Sequence, residues 1–155
     1  MFKKRKNIFE IEEGIFLSPK FDNKGLVPVI TTDFKSGDVL MHGYMNKIAL
    51  KKTIETKEAH YWSRSRKALW HKGKTSGFVQ KVIELRIDDD QDAVWMKVNI
   101  GKGASCHVGY ISCFYRSIRL GKIKNSKKIE IKFREKKKKF DPDKVYKGKP
   151  NPTKL

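Results

Sequence analysis

Cysteine is scarce in this chain: two residues among 155, Cys106 and Cys113, seven positions apart. That number cannot build the disulfide scaffold of a small secreted domain, but it suffices for part of a metal site. No apolar run reaches the roughly eighteen residues that a membrane-spanning helix needs. The opening stretch MFKKRKNIFEIEEG places acids where a signal peptide needs an apolar core. A soluble, cytoplasmic protein with no membrane partner is therefore expected. Acidic charge is short as well, with 17 Asp and Glu against 36 Lys and Arg, a formal net charge of +19. The imbalance is local: residues 116–155 carry 16 basic against 4 acidic side chains, and residues 1–115 carry 20 against 13. Net charge thus describes mainly the C-terminal stretch, and predicts its salt-sensitive, nonspecific attraction to nucleic acid.

A chain of this length with 38% hydrophobic side chains can build one domain with a real core. No internal repeat is evident. GLVPVITTD (25–33) has the β-branched residues of a strand, FKSGD turns the chain, and VLMHGYM (39–45) returns as a second strand. Asn46 caps a helix running to about residue 57, with Ile48, Ala49, Leu50 and Ile54 near one face. AHYWSRS reads as another strand, followed by a Lys-, Gly-, Thr- and Ser-rich loop over 71–78. Val79, Lys81, Ile83, Leu85 and Ile87 then alternate with Gln80, Glu84 and Arg86, and Val94, Met96, Val98 and Ile100 alternate with Trp95, Lys97 and Asn99. This period of two predicts an antiparallel hairpin with DDDQD as its loop. KKIEIKF is a last strand that either closes the sheet or begins the tail. The fold class expected is α+β, a mainly antiparallel sheet with one or two short helices in a compact single domain.

Three stretches carry chemistry. Asp88, Asp89, Asp90 and Asp92 put four acids into five positions of a basic chain. A solvated turn accounts for them, since aspartate favours turns. A bound cation also accounts for them, because carboxylates so close repel unless neutralised, and such oxygens suit magnesium. Downstream, SCHVGYISCFYR (105–116) holds both cysteines. Thiolates select zinc, and two cannot complete a tetrahedral site, so further ligands come from elsewhere in the fold or from a partner chain. The alternative is a pair of small buried hydrophobes, and for His107 a packed or surface imidazole. Third, YWSRSRK and ALWHKGKTSG gather Arg64, Arg66, Lys67, Lys72 and Lys74 among serines and tryptophans. Guanidinium forks and hydroxyls suit phosphate monoesters, and Trp62 or Trp70 can stack on a base. GKT in this stretch ends like a phosphate-binding P-loop, but Ala68 stands where the first glycine belongs and bulky residues follow, so the match is read as chance.

These stretches, in order over about residues 25–116, resemble phosphoribosyl-AMP cyclohydrolase, the family that opens the adenine ring in histidine biosynthesis. The resemblance divides the chain into an N-terminal extension (1–24), a catalytic domain (25–116) and a basic, partly disordered C-terminal extension (117–155) expected to be dispensable for chemistry. The C-terminal stretch is too short for the fused pyrophosphohydrolase of some relatives, which implies a monofunctional enzyme. It implies a homodimer of mixed α and antiparallel β structure using zinc and magnesium. The family's motifs put magnesium on Asp88, Asp90 and Asp92, and zinc on Cys106 and Cys113. Asp89 stands where many members have a third zinc cysteine, supplied across the dimer interface. The substrate implied is phosphoribosyl-AMP, met by Trp62, Ser63, Arg64, Arg66, Lys72, Lys74 and Thr75, with His107 moving protons. A basic nucleic-acid binding module, the competing reading, gives no reason for four aspartates beside a dithiol.

Overall fold

Alternation of apolar and polar residues sets the central sheet of the computed structural model, which describes residues 2–121 and 128–152. Strands β1 (Val27–Asp33) and β2 (Val39–Met45) form the expected hairpin. Val27, Val29 and Thr31 of β1 point into the core. Strands β5 (Lys81–Ile87) and β6 (Val94–Asn99) form the second antiparallel hairpin, joined by the aspartate loop. The two hairpins meet through β1 and β6, which pair in parallel from Val29 opposite Val94 to Asp33 opposite Val98, giving the order β2-β1-β6-β5. A second hairpin layer consists of β3 (His60–Ser63) and β4 (Ala68–His71), the latter falling at the start of the stretch read as leading into a loop. Outside these lie α1 (Ile8–Glu12), β7 (Arg116–Ile118) paired with β8 (Ile131–Phe133), and α3 (Pro142–Val145). The KKIEIKF strand thus joins β7 and leaves the main sheet open. The fold is α+β and mostly antiparallel; the described residues hold three short α-helices, none of them long and apolar enough to cross a membrane.

Helix α2 (Lys47–Thr56) begins as expected, the Asn46 side chain accepting from the Ala49 amide at 2.8 Å. Its buried face differs from the one expected: Ala49, Leu50 and Thr53 are inside, while Ile48 and Ile54 are exposed. Thr53 is there because its hydroxyl donates to the Ala49 carbonyl and accepts from the His60 amide at 3.0 Å, stitching the helix to β3. Ile54 faces a groove shared with Phe2 and Leu17 of the N-terminal segment. On β5 the single alternating face is broken by a register shift between Val82 and Glu84. Ile83 is turned out to solvent, and Val82, Leu85 and Ile87 pack against the core instead.

Residues 128–152 of the C-terminal extension pack on the body. Residues 122–127 and 153–155 lie outside the described residues. The Glu135 carboxylate accepts from the Ile111 and Ser112 amides at 2.8 and 2.9 Å. Phe133 joins the stacked pair Tyr110 and Tyr115, and Phe140 lies against Phe78 with ring centroids 4.8 Å apart. Aromatic anchors spaced among the lysines hold this segment, and its net charge gave no sign of them.

Candidate active site

A cavity of about 720 Å³ opens between β2, the β3–β4 hairpin, the loop 72–76 and the cysteine loop. Its shape depends on glycine at two places. A side chain at Gly43 would strike the Tyr61 ring at 2.7 Å, and Gly73 holds a φ of +89° with the Phe78 and Val79 backbone 2.3 Å from where a Cβ would sit. Beneath the floor, Tyr61 is wholly buried and its hydroxyl lies 2.7 Å from Thr31 Oγ1. That hydroxyl donates to Gln80 at 2.8 Å, and Gln80 donates to Ser105 at 2.8 Å. This satisfied relay carries the rigidity of β1 to the residue before Cys106.

Cys106 and Cys113 face each other at one end of the cavity, Cys106 buried and Cys113 exposed on the wall. Their sulfurs share a hydrogen bond, which pulls the Cys106 thiol below its ordinary value and pushes Cys113 above it. The amides of Val108 and Tyr110 and the charge of Lys72 favour the Cys106 thiolate further. The loop can turn so tightly because Gly109 takes a φ of +105°, letting its amide reach the Cys106 carbonyl at 3.0 Å. Lys72 is only 4% exposed, and burial lowers its pKa while both thiols oppose the shift. His107 lines the same end, held below the usual imidazole value by desolvation and then by the Lys72 charge, so the neutral ring is favoured. Two soft donors, one predisposed to be a thiolate, fit half of a tetrahedral zinc shell.

Of the substrate-binding residues expected, Trp62, Ser63, Arg64, Arg66, Lys72 and Thr75 line the cavity, and Lys74 is exposed outside it. Arg64 lies over the Tyr44 ring at 4.0 Å, and Arg66 donates to the Ser63 hydroxyl at 3.2 Å, so both guanidiniums are held at the mouth. The Lys72 ammonium faces the thiol pair and His107. Strand β4 runs into turns and then β5 with no helix after GKT, in keeping with a chance P-loop match.

The acidic loop is elsewhere. Ser105 bonds to Gln80 beside the Lys81 end of the β5–β6 hairpin, whereas Asp88 to Asp92 cap the opposite end. Seven strand residues at about 3.3 Å each separate them by roughly 20 Å, too far for Asp89 to join the cysteines of its own chain. Asp88, Asp89 and Asp90 offer carboxylate oxygens within 4.8 Å of one another, a donor set that fits a hard cation. Asp88 also shapes the turn, accepting from the Asp92 and Ala93 amides at 2.8 and 2.9 Å. Lys20 pairs with Asp90 at 2.8 Å and Asp92 at 3.3 Å, lowering the Asp90 pKa.

Among the wall residues not anticipated, Tyr146, Pro150 and Pro152 come from the C-terminal segment. A signal was present, since Asp141 followed by Pro142 is a helix start, and α3 carries Tyr146 at its end.

The family described as phosphoribosyl-AMP cyclohydrolase matches residues 41–115, which include the cysteines and most of the cavity wall. A protein of that name from Rhodopseudomonas palustris strain TIE-1 is 57% identical over 137 residues, covering 88% of this chain and 89% of its own. One from Nitrobacter winogradskyi is 51% identical over 144 residues, covering 93% and 97%. Similarity of this extent, over a thiol pair and cavity already defined by geometry, shows that the chain belongs to the phosphoribosyl-AMP cyclohydrolase family.

Proposed function

We propose that this protein opens the adenine ring of phosphoribosyl-AMP by hydrolysing the bond between N1 and C6, a step of histidine biosynthesis. The observation that carries the reading is the convergence of Cys106, Cys113, Lys72 and His107 at one end of a nucleotide-sized cavity with two arginines at its mouth. Arg64 and Arg66 would grip the terminal phosphates, and Trp62 or Trp70 would lie against the purine. Cys106 and Cys113 would hold zinc, which when bound supplies a Lewis acid and a water of lowered pKa. Neutral His107 takes a proton as water adds to C6 and returns it to N1 as the ring bond breaks, so the atoms of one water are consumed. Lys72, buried beside the thiols, keeps their negative charge tolerable in a desolvated pocket.

Purified protein reconstituted with zinc and magnesium is expected to convert phosphoribosyl-AMP to the ring-opened formimino carboxamide. Absence of turnover above a Cys106→Ala control would remove the assignment.

Asp88, Asp90 and Asp92 would hold magnesium, and Asp89 would reach the thiol pair only from a second copy of the chain, as the third protein ligand of zinc in a homodimer. The roughly 20 Å between hairpin ends supports this arrangement, because the same-chain alternative is out of reach. Asp89→Ala is expected to lose zinc to a chelator sooner than wild type, and Asp89→Cys to retain it longer, since thiolate is the softer donor. Equal zinc retention by wild type and Asp89→Ala, measured on folded protein, would end this role for Asp89.

A further inference from the structure

Tyr146 lies beyond the residues 41–115 matched by the family model, yet it sits in the wall of the cavity and is 6% exposed. Ser76 hydrogen-bonds its phenol, and the Cys106 sulfur lies near enough to act on it electrostatically, which places the hydroxyl between the loop 72–76 and the thiol end. The segment carrying it is tied to both loops. Lys139 donates its amide to the Gly109 carbonyl at 2.7 Å, and Lys149 Nζ donates to the Thr75 carbonyl at 3.2 Å. Phe140 packs between Phe78 and Tyr146, and the Tyr146 amide closes α3 on the Pro142 carbonyl at 2.9 Å. A side chain at Gly109 would strike the Phe140 carbonyl at 2.4 Å, so the cysteine loop itself is shaped to admit this segment.

We infer that the C-terminal segment forms one wall of the substrate site and that Tyr146 is a substrate-positioning residue whose hydroxyl bonds the nucleotide beside the thiol pair. A phenol has one proton and two lone pairs, and Ser76 uses only part of that capacity. Burial keeps the phenol neutral, hence a donor as well as an acceptor at physiological pH. Pro150 and Pro152 add a stiff apolar surface to the same wall. A cavity closed by the core domain alone would leave the purine wet on this side. The inference rests on the ring-opening reading of the same cavity.

The test uses the full-length protein and Tyr146→Phe, which keeps the ring against Phe140 and removes only the hydroxyl. Steady-state kinetics with phosphoribosyl-AMP, calorimetric binding of AMP, zinc content and the melting temperature are measured on both. The KM of the variant is expected to rise about tenfold and its AMP affinity to fall by a similar factor, as for loss of one hydrogen bond to ligand. Zinc content and melting temperature should match wild type. A variant with wild-type KM and AMP affinity overturns the inference, and so does one whose only change is lower zinc or melting temperature, since the hydroxyl then serves the fold. If wild type binds AMP without turning over phosphoribosyl-AMP, and the variant binds AMP more weakly, the proposed reaction falls and the wall stands. If wild type does neither, both fall.

Discussion

Replacing Cys106 with alanine is expected to reduce turnover of phosphoribosyl-AMP by ~10³-fold or more and to bring bound zinc to background. Cys106 is the better prepared of the two thiols: buried, bonded to Cys113, and with the Val108 and Tyr110 amides and the Lys72 charge turned toward its sulfur. Alanine removes the soft donor and leaves those amides without an acceptor, so a loss of about 1–3 kcal/mol in stability, read as a lower melting temperature, should accompany it. Cys106→Ser separates the two effects. Its hydroxyl can still accept from the amides and restore the melting temperature, but a hard oxygen is a poor substitute for thiolate toward zinc. A serine variant with normal zinc content and turnover would show that the thiol holds the loop together and nothing more.

His107→Asn is expected to lower kcat by about 10²- to 10⁴-fold, the ordinary contribution of a positioned acid and base, while KM stays within a few fold. Asparagine keeps a polar group at the wall but cannot carry the proton between water and N1. Because His107 follows Cys106 directly, zinc content decides between roles. Unchanged zinc in the slow variant identifies proton transfer. Zinc lost along with activity would make His107 a ligand and refute the assignment. Desolvation and then the Lys72 charge lower the His107 pKa, favouring the neutral ring that the proposed first proton transfer would use.

Where a local signal and the tertiary environment agreed, the sequence could be read. Asn46 caps α2, the strand read at 39–45 has those bounds, the alternation from Val94 to Ile100 yields β6 at 94–99, and the aspartates do turn a hairpin. Ile83 could not be read because a bulge depends on the partner strand, and a one-residue slip sends every later side chain to the other face. Thr53 could not be read because its burial depends on the His60 amide of a separate strand as well as on the Ala49 carbonyl. At the site, the cysteines, His107 and the arginines stood out by type. Tyr146 was hidden in a stretch judged by its charge, although Phe140, Tyr146 and the Asp-Pro pair between them were visible. The distance between the acidic loop and the thiols follows only from strand pairing.

That pairing also governs the order in which the molecule can assemble. Each hairpin is local in sequence and can form on the microsecond scale, but β1 meets β6 across some 65 positions, as Val29 lies opposite Val94. Closing so long a loop costs entropy before any contact rewards it, which makes the docking of the two hairpins the slow event in folding. Every cavity residue from Met41 to Ser76 lies inside that loop, and Ser105, His107, Cys113 and Tyr146 follow it in the chain. During synthesis the candidate pocket therefore has no partial form. It comes into being only after β6 has left the ribosome and found β1.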